Sequence, residues 1–170
     1  MNSRFALFVS FVLFSGQAAQ GAAPVPLHCT ALENRQFDFW VGNWQVRNHA
    51  GTFEGSDRVT REYGNCTLQE HFRSDDGTSF GSSFSFFNAA DNRWHYTWVD
   101  NLGAFELFSG GREGRSMILE GWTATPSHKH VLERMTWTPV AGGHVRQLWQ
   151  GSLDGKHWLT LSDVYYWPVH

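Results

Sequence analysis

Apolar and polar residues alternate with a period of two through most of the chain beyond residue 43. These runs are separated at about ten-residue intervals by glycine, proline, asparagine or aspartate, which favour turns. Alternation of this kind gives a strand one buried and one exposed face. The pattern predicts strands near residues 44–48, 53–63, 66–73, 79–87, 93–100, 104–109, 116–122, 130–137, 144–152 and 158–166.

A meander of about ten strands can bury its apolar faces by closing into an up-and-down barrel or by forming two packed sheets. Closure pairs the edge strands and leaves a lumen at this strand number. We therefore predict an all-β fold, a single antiparallel up-and-down β-barrel, with the sandwich as the alternative. The consecutive glycines at 110 and 111 predict a hairpin turn there.

One stretch favours a helix. Thr30 and Glu33 have the spacing of a capping box, and Phe37, Trp40 and Val41 would then share one helical face. We expect this short N-terminal helix to cap one end of the barrel.

The first 22 residues have the composition of a secretory signal peptide: one basic residue, an apolar run of about ten residues and a small-residue exit. The run is shorter than the roughly 20 residues of a membrane-spanning helix, although an uncleaved anchor is the alternative. We predict a signal peptide at 1–22, a barrel domain at 23–170, and a periplasmic or secreted protein without stable membrane insertion.

Only two cysteines, Cys29 and Cys66, are present. In an oxidising compartment they predict a structural disulfide, and a reactive or metal-binding pair is the alternative. The net charge is −3 and basic residues form no run, so nucleic-acid binding is excluded.

Three segments carry a family resemblance: FDFWVGNW at 37–44, WHYTWVDN at 94–101 and VRQLW at 145–149. The first contains a Gly-x-Trp tripeptide directly after the predicted helix. Together they resemble an exported bacterial family of lipocalin-like domains in the calycin superfamily, with FDFWxGxW and WVD motifs. The resemblance implies a lipocalin-like barrel and does not imply an activity. Asn43 and Tyr96 depart from the residues usual in that family.

Aromatic residues on one strand face indicate a pocket lining. Trp94, Tyr96, Trp98 and Asp100 share a face of their predicted strand, so an aromatic wall ends in a carboxylate. The residues we predict to bind a ligand are Glu70, Tyr96, Trp98, Asp100, Arg134, Trp137, Gln147 and Trp149.

Glu70 shares its predicted face with Leu68 and Phe72, so its carboxyl must be paired, hydrogen-bonded or protonated. It could act as a general acid or base, anchor a ligand donor, or bind an internal arginine or indole. Asp100 could complete a catalytic pair with Glu70, or could bond its own backbone in a turn. Arg134 could bind a ligand carboxylate or neutralise Glu70.

No metal or cofactor is predicted. His128 and His130 could lie on one side of a strand, but no third ligand stands at a spacing suited to zinc. No single histidine stands out as a haem ligand.

Three functions follow from these patterns. The first is an exported protein that binds a small apolar or aromatic molecule in the lumen. The second is an isomerase, cyclase or hydrolase that uses Glu70. The third is a barrel filled by its own aromatic side chains, which the absence of any lumen cavity above roughly 300 Å³ would favour over both pocket functions.

Overall fold

The computed structural model describes residues 29–125 and 130–169; the predicted signal peptide, His128 and Lys129 lie outside these ranges. These described residues form ten strands, with bounds close to those predicted. They are β1 (Gly42–Asn48), β2 (Phe53–Glu62), β3 (Thr67–Ser74), β4 (Phe80–Asn88), β5 (Arg93–Asp100), β6 (Phe105–Glu113), β7 (Ser116–Ala124), β8 (His130–Pro139), β9 (Val145–Ser152) and β10 (Leu159–Pro168).

The strands form a closed antiparallel barrel. Each strand pairs with its neighbours in sequence, and β1 pairs with β10, where Trp44 lies opposite Pro168 and Asn48 opposite Val164. The predicted up-and-down barrel is therefore confirmed, and the sandwich alternative is wrong.

The predicted hairpin turn at residues 110–111 is wrong. Both glycines lie inside β6, which continues to Glu113 before it turns. A side chain at Gly110 would collide with the carbonyl oxygen of Ile118 on β7. Glycine is needed here because two backbones approach closely, and this requirement looks the same in the sequence as a turn.

The predicted α-helix is wrong in type, although helical turns do form within the stretch for which it was predicted. The segment forms two short 3₁₀ helices, Leu32–Arg35 and Asp38–Trp40, rather than a helix at the N-terminus of the chain. The residue before the first helix is Ala31, and no side chain caps it, so the capping box does not form. A 3₁₀ helix has three residues per turn, which suits the three-residue spacing of Phe37 and Trp40.

These two side chains close one end of the barrel. Phe37 and Trp40 are fully buried and stack with ring centroids 5.0 Å apart. Phe37 also contacts Trp94 and Trp137 at centroid distances of 5.7 and 5.2 Å, and Trp40 contacts Tyr166 at 6.1 Å. We call these five rings the closed-end cluster.

The Cys29–Cys66 disulfide is present, which confirms the prediction, and its Cα atoms are 5.0 Å apart. Arg35 reinforces the link, because its guanidinium donates to the backbone oxygens of Cys29 and Asn65, both at 2.6 Å. The segment before β1 is thereby fixed to the turn that precedes β3. In the described ranges, no helix has the length and apolar character needed to cross a membrane.

Candidate functional site

A cavity of about 290 Å³ occupies the part of the lumen beyond the closed-end cluster, whose Tyr166 borders it. It extends to the barrel end where β5 turns into β6, since Asp100 and Ala104 belong to its lining. The lining residues are Val46, Glu54, Glu70, Phe72, Ser79, Tyr96, Trp98, Asp100, Ala104, Glu106, Met135, Gln147, Trp149, Ser162, Val164 and Tyr166. We call it the lumen cavity.

Two tryptophans form much of its aromatic wall, and each indole is held by a carboxylate. Trp98 donates from Nε1 to Oδ2 of Asp100 at 3.2 Å, and Trp149 donates to Oε2 of Glu133 at 2.8 Å. These bonds fix the ring orientations without using the ring faces, which stay available for stacking.

Tyr96 lies deeper in the lumen, stacked on Phe108 at a centroid distance of 5.9 Å. Trp137 contacts Tyr96 at 5.6 Å and is itself fully buried. It belongs to the closed-end cluster and does not line the cavity. The aromatic side chains therefore fill one half of the barrel and line the other.

Glu70 lies in the middle of the lumen and is 3% exposed. The hydroxyl of Tyr96 donates to its Oε2 at 3.5 Å. Burial raises the pKa of Glu70 well above its ordinary value of 4.5, and repulsion by the carboxylate of Asp57 raises it further. Both effects favour the protonated form of Glu70 relative to an exposed glutamate.

Asp57 projects inward from β2, where it lies opposite Phe72 of β3. Glu70 is the next inward residue along β3 and lies opposite Val59. Asp57 is 3% exposed and its carboxyl interacts with that of Glu70, although in the described part of the chain neither of its oxygens has a hydrogen bond of good geometry. Burial raises the pKa of Asp57 to about 6. Asp57 and Glu70 thus form a buried pair that strongly disfavours two simultaneous negative charges.

A third buried carboxyl belongs to Glu106, which lies opposite Trp98 in the pairing of β5 with β6. It is 8% exposed and lines the lumen cavity, and its Oε2 has no hydrogen-bond partner among the residues that the structure describes. Burial raises the pKa of Glu106 to about 7, with further contributions from the charges of Glu133 and Asp100.

Asp100 serves both a turn and the cavity. Its Oδ1 accepts hydrogen bonds from the backbone amides of Leu102 and Ala104, both at 2.9 Å, while Oδ2 accepts from Trp98. Burial opposes ionisation, but these amide and indole donors prevail and lower the pKa of Asp100 below its ordinary value. Asp100 therefore bonds the backbone of its own turn, as one prediction held, and also lines the cavity.

The structure places Arg134 outside the lumen. It lies opposite Glu120 in the register of β8 with β7, forms an ion pair with it, and lies over the ring of Trp158 at 3.9 Å. Arg134 therefore does not neutralise Glu70. Of the other predicted site residues, Gln147 and Trp149 line the lumen cavity together with Glu70, Tyr96, Trp98 and Asp100.

Sequence reasoning missed Asp57 and Glu106. The signal was present, because Asp57 alternates in phase with Val59 and Glu106 alternates in phase with Phe108. Each carboxyl is thus on a strand face that also carries a buried apolar residue.

No three histidine, cysteine, aspartate or glutamate side chains converge as metal ligands within residues 29–125 and 130–169. Comparison of the chain with protein-family models found no match. Comparison with curated proteins found no match either. The geometry defines a class: a closed ten-strand antiparallel barrel, consistent with a lipocalin-like fold, with one end filled by aromatic rings and a cavity in the other half.

Proposed function

We propose that this protein is an exported binding protein that holds a small apolar or aromatic molecule in the barrel lumen. The observation that carries the proposal is the lumen cavity, whose wall combines oriented indole rings with a few buried polar groups. Ligand pockets generally have this composition: mostly apolar surface and a small number of polar groups that orient the ligand.

The cavity volume restricts the ligand. At about 290 Å³ it lies just below the threshold of roughly 300 Å³ that separates the pocket functions from a filled barrel, and just below the range of roughly 300 to 1,000 Å³ that ligand pockets span. A cavity of roughly 150 Å³ holds one benzene molecule, so this cavity suits a molecule of roughly ten non-hydrogen atoms. A fatty acid or a tetrapyrrole is too large.

Export is supported by the disulfide, because such bonds persist in oxidising compartments. The sequence of residues 1–22 and the resemblance to exported lipocalin-like domains point the same way.

The test is a titration with small aromatic probes, followed by tryptophan fluorescence and calorimetry. We expect saturable binding that changes the emission of Trp98 and Trp149. Ala104→Phe, at the exposed edge of the cavity, should weaken binding by obstructing it. Ala90→Phe is the matched control, because Ala90 is exposed in the β4–β5 turn at the other end of the barrel. Absence of saturable binding by any probe, or equal affinities in the two variants, would contradict a lumen site.

An enzyme is the second candidate, and one specific observation favours it. Glu70 lines the cavity as a buried carboxyl of raised pKa next to the hydroxyl of Tyr96, which suits a general acid in an isomerase, cyclase or hydrolase. Asp100 would be the ionised partner. A pH–rate profile controlled by a group of raised pKa, abolished in Glu70→Gln, would support catalysis.

A further inference from the structure

The lumen cavity has an uncompensated acidic lining. Four of its lining residues are carboxylic acids, Glu54, Glu70, Asp100 and Glu106, and within residues 29–125 and 130–169 no arginine, lysine or histidine lines it. In the described part of β8 and β9, Arg134 and Arg146 are both committed to the outer face. Arg146 binds Asp163 through two hydrogen bonds of 2.7 Å.

Glu106 gives this charge imbalance a specific location. Its side chain is more than nine-tenths buried, it lines the cavity, and its Oε2 has no donor in the described residues. A buried carboxylate oxygen without a partner is costly, and native structures normally supply a donor from protein, solvent or ligand. The missing partner is a hydrogen-bond donor, and a positively charged one would also offset the neighbouring acids.

The surroundings of Glu106 favour an organic cation over a metal ion. Trp98 lies opposite Glu106 across the β5–β6 pairing, and Trp149 and Tyr96 line the same cavity. Aromatic faces attract ammonium groups and stack on aromatic rings, whereas a metal ion needs several converging oxygen or nitrogen ligands. An anionic ligand would be repelled by Asp100 and Glu106.

We infer that the ligand is a small aromatic amine, bound as its ammonium ion, with the N–H groups donating to Glu106 and the ring against Trp98 and Trp149. This inference rests on the proposed function and names the chemical class of its ligand. Glu106 supplies the charge-assisted hydrogen bond, and Asp100 adds a second negative charge at the edge of the cavity. The indoles hold the ring, since their own N–H groups are already bonded to Asp100 and Glu133.

The test compares four probes of similar size at pH 8: 2-phenylethylamine, 2-phenylethanol, phenylacetate and toluene. At this pH the amine is protonated and Glu106, whose pKa is raised to about 7, is largely ionised. We expect the amine to bind about tenfold more tightly than the alcohol, because a hydrogen bond between two ions is roughly twice as strong as a neutral one. Phenylacetate should bind most weakly.

Glu106→Gln should reduce the affinity for the amine about tenfold and change that for the alcohol by less than about twofold. The ratio of the two affinities within one variant is insensitive to changes in folding. Glu113→Gln is the matched control, since Glu113 is exposed at the far end of the same strand, and it should leave the ratio unchanged.

The outcomes separate the two proposals. If the alcohol or toluene binds as tightly as the amine, or if Glu106→Gln leaves the ratio unchanged, the amine inference is wrong and the binding function stands. If none of the four probes binds saturably, the binding function is contradicted and the amine inference fails with it.

Discussion

Replacing Glu106 with glutamine is expected to remove a pH-dependent loss of stability. Burial, aided by the charges of Glu133 and Asp100, raises the pKa of Glu106 from 4.5 to about 7 in the native protein. Between these two pH values the native protein keeps a proton that the unfolded chain has released. The free energy of unfolding therefore decreases as the pH rises through this window, and the loss is complete above about pH 7.

The magnitude follows from the same two values. A difference between 4.5 and about 7 corresponds to about 3 kcal/mol at 25 °C. Glutamine has nearly the shape of the protonated acid and does not ionise. The stability of Glu106→Gln relative to the unmodified protein should therefore rise by about 3 kcal/mol between pH 4 and pH 8.5.

The assay is urea unfolding followed by tryptophan fluorescence, at several pH values and with the disulfide intact. The raised pKa values of Asp57 and Glu70 make both proteins less stable at higher pH. Their contribution largely cancels in the difference between the two proteins. Glu113→Gln is the control and should stay within about 0.5 kcal/mol of the unmodified protein, as exposed substitutions usually do.

A difference between Glu106→Gln and the unmodified protein that stays constant from pH 4 to pH 8.5 would refute the reasoning. So would a variant that becomes relatively less stable at high pH, because Glu106 would then be better stabilised as an anion than as a neutral acid.

Three further predictions concern other parts of the barrel. Reducing the Cys29–Cys66 disulfide, which joins cysteines 37 positions apart, should lower the free energy of unfolding by up to about 4 kcal/mol. Urea unfolding curves with and without reductant measure this loss, and coincident curves would contradict it. Gly81→Ala should cost about 1 to 3 kcal/mol and weaken probe binding, because a methyl group there collides with the ring of Trp98; unchanged affinity in calorimetry would count against that wall. Trp137→Ala should lower the free energy of unfolding by about 3 to 5 kcal/mol, measured by urea unfolding, because the ring is fully buried. A loss below about 1 kcal/mol would show that the closed-end cluster is not a packed core.

The strands could be predicted because a barrel strand has one buried face, so its apolar and polar residues alternate with a period of two. Where the prediction failed, the cause was a contact between distant residues. Gly110 is required by the nearby backbone of β7, and a sequence does not distinguish this from a turn. The 3₁₀ geometry before β1 follows from seating Phe37 and Trp40 among rings contributed by β5, β8 and β10.

The acidic character of the lumen was harder to predict than its aromatic wall. The position of Glu70 followed from alternation alone, and that of Glu106 could have followed in the same way. Among the described residues no arginine lines the cavity, and this depends on which face of its strand each arginine occupies. Arg134 alternates out of phase with Met135 and Trp137, so its outward position becomes evident only once the inward residues of β8 are known.

The pairing of β1 with β10 has a consequence for the order of folding. The barrel closes through contacts such as Trp44 with Pro168, which are separated by nearly the whole described chain. Contacts of such long range slow folding, because the intervening chain must be ordered before they form. Until β10 pairs with it, β1 has one edge without its partner. We therefore expect the barrel to be completed only when β10 joins β1, with the first strand exposed to other binding partners until then.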